Sequence, residues 1–178
     1  MLTRDDAVLL VVDVQGKLAR LMHEADALFD HLSRLVRGAK VLEVPVLATE
    51  QNPKGLGPTV EEVRPHLPSP PLPKMAFSCC GEAAVVEALE ATGRRQVLLA
   101  GIETHICVYQ TARDLLARGW EVHVVADAVS SRSVRNREVG LAKMRAAGAE
   151  VTSVETALFE MLETAEGPAF KQILEIVK

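Results

Sequence analysis

The chain has 178 residues, 48% of them hydrophobic and 25% charged, which fits a globular protein with an ample core. Its 24 acidic and 20 basic side chains leave a net charge of −4, without the basic stripe that a nucleic-acid partner requires. No stretch approaches the roughly 18 apolar residues that a membrane-crossing helix needs.

Ala7–Val12 (AVLLVV) is a short unbroken apolar run, the pattern of a strand buried on both faces. From Ala25 to Leu42, apolar residues recur in steps of three and four at Leu28, Leu32, Leu35, Val36, Ala39 and Leu42, which predicts an amphipathic helix. Val44–Ala48 reads as the second strand. Seven of the nine prolines then fall between residues 51 and 73, an irregular connection of a length that is often functional and otherwise a rigid surface wrap. Lys74–Phe77 reads as a short strand headed by Lys74, and Glu82–Ala91 as a helix ending near Gly93. Gln96–Ala100 is a buried strand, His105–Arg118 a helix closed by Gly119, and Glu121–Ala126 a further strand. Val134–Ala147 is a helix stopped by Gly148, and its basic stretch from Arg132 to Arg145, which also holds Glu138, reads as a solvated face. Glu150–Ser153 is the last strand. Two short helices finish the chain, with Pro168 at a helix start.

Strand–helix alternation predicts one domain over residues 1–178, of α/β class, with a parallel sheet between two layers of helices. Ligands of open α/β sheets sit beyond the carboxyl ends of the strands, so polar residues there are the candidates for function. Asp13 follows the first strand, as a functional carboxylate or as a helix N-cap. Gln15 lies two residues on. Lys74 follows the proline-rich segment, where a lone lysine is most often simply solvated. Cys107 lies in the first turn of a helix. A lone cysteine is by default an inert buried thiol, yet a helix N-terminus and a nearby ammonium both favour thiolate. A cysteine, an aspartate and a lysine together make chemical sense: the lysine lowers the thiol pKa, and the aspartate takes its proton and later delivers it to a leaving amine.

Other polar residues have plainer readings. His105 is two residues from Cys107 and does not face it on a helix. His123 reads as a satisfied core histidine, and Asp127 as a turn or cap residue. Phe77 and Tyr109 either line a pocket or pack. DVQGKL, with one glycine, lacks both phosphate-binding patterns, which weakens a nucleotide-binding reading. Adjacent Cys79 and Cys80, plus an odd third cysteine, make a poor disulfide framework and point to a reducing compartment. The first apolar run is too short for a signal-peptide core, so the expectation is a soluble cytoplasmic protein.

LLVVDVQ, with Asp13 and Gln15, PKMAFS, with Lys74, and the long block LLAGIETHICVYQTARDLLARGWEVHVVADAVSSR, with Cys107, together resemble the isochorismatase-like cysteine hydrolases. TEQNPKGLGPTV resembles the branch named for an isochorismatase domain rather than the nicotinamidases. The resemblance implies a Rossmann-like α/β/α fold with a six-stranded parallel sheet and an Asp-Lys-Cys triad at Asp13, Lys74 and Cys107. It also implies a cis peptide between Ile102 and Glu103, and an oxyanion hole from the N–H groups of Glu103 and Cys107. The activity implied is hydrolysis of a C–N amide or related acyl bond of a small molecule, through a thioester on Cys107. A catalytically idle interaction protein on the same scaffold is the alternative. Gln15, Glu50 and Phe77 are candidates for substrate contact. Nicotinamidases bind a metal through a motif resembling Asp-x-His-Pro. Here that place reads Glu50-Gln51-Asn52-Pro53, and Asn52 is a poor stand-in for an imidazole, so no metal and no cofactor are expected. Cys107 also argues against vinyl-ether cleavage, whose enzymes lack that nucleophile. Homo-oligomers are expected by resemblance.

Overall fold

The computed structural model covers residues 1–178. Six parallel strands lie in the order β3-β2-β1-β4-β5-β6. They are β1 (Ala7–Val12), β2 (Val46–Gln51), β3 (Leu72–Lys74), β4 (Gln96–Ile102), β5 (Glu121–Ser130) and β6 (Glu150–Thr152). The helices are α1 (Gly16–Arg20), α2 (Ala25–Val41), α3 (Pro53–Leu56), α4 (Ala83–Ala91), α5 (Tyr109–Ala117), α6 (Val134–Ala146), α7 (Val154–Leu162) and α8 (Gly167–Val177). None is long and apolar enough to cross a membrane.

The unbroken apolar run of β1 has a direct cause. Leu9 and Val11 face one core, built with α2, α7 and α8, while Val8, Leu10 and Val12 face the other, built with α4, α5 and α6. A strand buried on both faces has no use for alternation. From β1 the chain steps out to β2 and β3, then returns to place β4 on the other side of β1. The carboxyl ends of β1 and β4 therefore flank the point where strand order reverses, the usual ligand crevice of such sheets. Gly101 makes that contact close: with φ of +113°, a Cβ there would lie 2.1 Å from the carbonyl oxygen of Val12.

Several expected boundaries move. β2 begins at Val46 and runs on through Thr49, Glu50 and Gln51, which pair with Leu72, Pro73 and Lys74 of β3. Backbone pairing extends this strand past the end of its apolar signal. Lys74 consequently ends β3 instead of heading a strand over 74–77. Pro73 is tolerated because β3 is an edge strand. Residues 51–73 contain α3 and a 3₁₀ turn at Arg64–His66, and they are tied down. Gly16 N–H donates to Pro58 O at 3.0 Å, and Val60 N–H to Val14 O at 2.9 Å. β5 continues to Ser130, with a register shift against β4 between Leu99 and Gly101.

Candidate active site

Asp13 leaves β1 in the left-handed region (φ 53°), which short polar side chains tolerate best. It does not cap α1; Gln15 occupies that position, without a side-chain cap bond. The Asp13 carboxylate is buried instead. Its Oδ1 accepts from Thr49 Oγ1 at 2.8 Å, and its Oδ2 lies 2.6 Å from Lys74 Nζ, with no other donor on that oxygen. Both side chains of this ion pair are essentially out of water, at 5% and 0% exposure. Isolated buried charges are costly, so each depends on the other and on further hydrogen bonds. Met75–Phe77 curl back around the ammonium, and Lys74 Nζ donates to Ala76 O at 2.9 Å and Phe77 O at 3.0 Å.

Cys107 sits in a π-helical turn over Thr104–Val108, just before α5. The Val108 N–H reaches back five residues to Glu103 O at 3.3 Å. α6 can seat against this turn because Gly140 presents only hydrogen there; a Cβ would lie 2.7 Å from Thr104 O. The peptide bond between Ile102 and Glu103 is cis. The Cys107 thiol donates to Gln51 Oε1 at 3.3 Å, and it lies within the field of the Asp13 carboxylate. Lys74 Nζ donates to the same Gln51 oxygen at 3.3 Å. One amide oxygen thus bridges nucleophile and ammonium.

The electrostatics reverse one expectation. Burial, reinforced by the Asp13 charge, pushes the Cys107 thiol up to about 12, and Lys74 offsets this only in part. Burial likewise raises the Asp13 carboxyl above its ordinary value, against the opposing pull of Lys74. The sulfur is therefore a neutral thiol beside a potential base, not a standing thiolate. The lysine's charge is largely spent on Asp13.

Asp13, Gln51 and Cys107 floor a cleft of roughly 120 Å³ with walls of Leu18, Leu56, Phe77, Ile102 and Ile106. Glu103 also lines it, its carboxylate accepting from Arg132 Nε at 3.2 Å and from the Arg132 N–H at 3.0 Å. Of the expected substrate contacts, Phe77 is at the cleft but Gln15 and Glu50 are not. Gln15 is fully buried: its amide donates to Gln51 O (3.1 Å) and Gly57 O (2.7 Å) and accepts from Gln51 N–H (2.7 Å). Glu50 Oε1 accepts from Thr59 N–H (2.6 Å) and Thr59 Oγ1 (2.8 Å). Both anchor the 51–73 loop that carries Leu56.

The isochorismatase domain model matches residues 7–156. The chain belongs to the isochorismatase family, a family of hydrolases. It is 46% identical over 145 residues to isochorismatase domain-containing protein 1 of Salmo salar, covering 82% of this chain and 51% of that one, so the chain spans about half that relative's length. It is 41% identical over 179 residues to the secreted isochorismatase effector Isc1 of Phytophthora sojae, covering 97% of this chain and 84% of that protein. Among solved structures, the MAR1 ribonuclease of Caenorhabditis elegans superposes with a TM-score of 0.93 at 36% identity, over 99% of this chain and 91% of the other. YcaC of Pseudomonas aeruginosa, described with hexane-2,5-diol and covalent acrylamide, matches at TM-score 0.91 and 27% identity, over 98% and 90%. YcaC of Escherichia coli, described as an octameric hydrolase of unknown specificity, matches at 0.92 and 26%, over 98% and 88%.

Within this family frame the other polar residues have structural tasks. His105 Nδ1 hydrogen-bonds Ser131 Oγ at 3.0 Å. His123 is buried beside Glu150, and burial lowers its pKa. Asp127 Oδ1 accepts from Val154 N–H at 2.9 Å, at the start of α7. A second cleft of about 80 Å³, near His23 and His31, has polar walls already committed: His31 Nδ1 bonds Asp127 O (2.8 Å), and Arg137 Nε donates to Val129 O (3.0 Å). No three His, Cys, Asp or Glu side chains are grouped so as to hold a metal ion, and Glu50 is engaged by Thr59 where nicotinamidases have a metal ligand. Gln51 escaped the reading of the sequence. Once β2 is extended, Gln51 stands at a strand's carboxyl end opposite Lys74, and the rule that singled out Asp13 singles it out too.

Proposed function

We propose that the protein is a thiol-dependent hydrolase of small acyl compounds, with amides as the foremost class. One observation carries this reading: a thiol, a buried carboxylate and a buried ammonium share a single hydrogen-bonded cluster beneath a mostly apolar cleft. Asp13 takes the Cys107 proton as the sulfur attacks the substrate carbonyl carbon, so the thiolate need not exist beforehand. The N–H groups of Glu103 and Cys107 hold the oxyanion. Asp13 returns the proton to the leaving nitrogen, the C–N bond breaks, and a thioester remains on Cys107. Asp13 then deprotonates water, which attacks the thioester; the acid leaves and the thiol is restored. Lys74 keeps the carboxylate available as a base. The covalent acrylamide of the Pseudomonas YcaC structure supports a reactive nucleophile in this fold.

A small substrate suits the cleft better than RNA, although one structural relative is described as a ribonuclease. Lys74, buried beneath it, is neutralised by Asp13, and a phosphodiester backbone calls for unpaired cations. The octameric YcaC supports a homo-oligomer. The cysteine pattern supports a cytoplasmic location, against which stands the secreted relative.

The test is acid-quenched turnover of a panel of small amides, esters and an RNA oligomer, followed by peptide mapping. An acyl mass on Cys107, lost together with activity in Cys107→Ser, is the expected result. Activity that survives Cys107→Ser, on an amide or on RNA, would refute the proposal.

A further inference from the structure

Gln51 is absorbed by neither the triad nor the loop anchors, and its side chain has a forced orientation. Lys74 can only donate hydrogen bonds. The Gln51 atom 3.3 Å from Nζ must therefore be the amide oxygen, which also receives the Cys107 thiol at 3.3 Å. The amide nitrogen then has to point the other way. It has no partner in the protein and is not among the buried unsatisfied atoms, and Gln51 lines the cleft. It is left free on a residue that lines the cleft beside the nucleophile.

The charges of the cleft are spoken for. Asp13 Oδ2 is 2.6 Å from Lys74 Nζ, and Glu103 Oε1 is 3.2 Å from Arg132 Nε. The remaining walls are Leu18, Leu56, Phe77, Ile102 and Ile106. A charged substrate would lose hydration and gain no free counter-charge.

We infer that Gln51 Nε2 is the recognition donor of this site, and that it selects a small uncharged substrate carrying a hydrogen-bond acceptor one or two bonds from the carbon that Cys107 attacks. The inference rests on the reading of Cys107 as nucleophile and deepens it. Because the same amide holds the thiol through its oxygen, the recognised acceptor is set down next to the sulfur. The fold, unlike recognition, survives a change of this side chain: the Gln51 backbone N–H and C=O are both held by Gln15, which no Gln51 substitution removes.

The test uses reagents whose reactive carbon is known. Rates of Cys107 alkylation by iodoacetamide, iodoethane and iodoacetate are measured by peptide mapping and normalised to free cysteine. Wild type is expected to favour iodoacetamide over iodoethane by about tenfold, the size of one hydrogen bond to a neutral partner, and to disfavour iodoacetate. Gln51→Met removes donor and acceptor; Gln51→Glu keeps the acceptor for Lys74 and the thiol but loses the donor. Both are expected to bring the iodoacetamide-to-iodoethane ratio close to one. A ratio unchanged in both variants, or iodoacetate as fast as iodoacetamide in wild type, overturns the inference while leaving the nucleophile intact. Cys107 inert to all three reagents overturns the nucleophile reading and this inference with it.

Discussion

Strand β1 has an aspartate beyond each end, and the two lead different lives. Asp6, before the strand, is partly exposed; its carboxylate accepts from Arg95 N–H at 2.7 Å, and its carbonyl accepts from Arg95 and Gln96. The carboxylate bond is exposed to water, and the residue shapes a turn. Asp13, after the strand, is buried against a buried ammonium and a thiol. The difference comes from topology, not residue type. At the amino edge of a parallel sheet the chain is arriving from helices. At the carboxyl edge, β1, β2, β3 and β4 release Asp13, Gln51, Lys74 and the Cys107 turn into one crevice at the strand-order reversal.

That contrast can be broken by substitution. The largest effect falls on chemistry: Cys107→Ser is expected to lower hydrolysis of any accepted substrate by at least about a thousandfold, with the melting temperature little changed. Asp6→Asn is expected to leave turnover intact. Equal losses in the two variants would show that the two edges are not distinct. Next comes stability. Lys74→Met strands a buried carboxylate and is expected to cost about 3–5 kcal/mol in denaturant unfolding, most of it recovered in Asp13→Asn/Lys74→Met. A double variant no more stable than the single one would mean that the pair is not coupled.

Alkaline pH sharpens the picture further. The folded-state pKa of Cys107 is raised from 9.0 to about 12, so its contribution to stability is complete below pH 9 and is lost as pH rises toward 12. Relative to Cys107→Ser, wild type should lose roughly 1 kcal/mol between pH 8 and 10. Parallel curves for the two proteins would place the thiol in water. The smallest effect belongs to the exposed pair of Arg20 and Glu62: Glu62→Gln is expected to leave the unfolding midpoint where it was.

Much of the fold could be read from residue order. β1 and β4 are apolar without interruption, and α2 repeats its apolar residues in threes and fours. What escaped has physical causes. The last turns of β2 are Thr49, Glu50 and Gln51, polar residues held in a strand by pairing with β3, and no periodicity marks them. α1 and α3 are too short to show a period. At the site, the strand-end rule pointed to Asp13, whereas Lys74, read at the head of a strand, and Cys107, by default an inert thiol, were joined to it by the family resemblance. Gln15 and Glu50 obey the same rule yet turn toward the loop, and a sequence does not say which way a side chain points. The direction of the Cys107 pKa was misread for a related reason: a charge partner can be named from sequence, whereas the depth of burial that outweighs it cannot.

The account stands on a proton that a buried thiol gives up to a buried carboxylate as the sulfur attacks. The most direct measurement is the rate of Cys107 alkylation by iodoacetamide, followed from pH 6 to pH 9 in wild type and in Asp13→Asn/Lys74→Met. Proton transfer inside the site makes the wild-type rate flat across that range, because Asp13 and not bulk base takes the proton. In the double variant the rate should climb about tenfold per pH unit, as for any solitary thiol below its pKa. A wild-type rate that climbs with the same slope would contradict that internal proton transfer and the mechanism built on it.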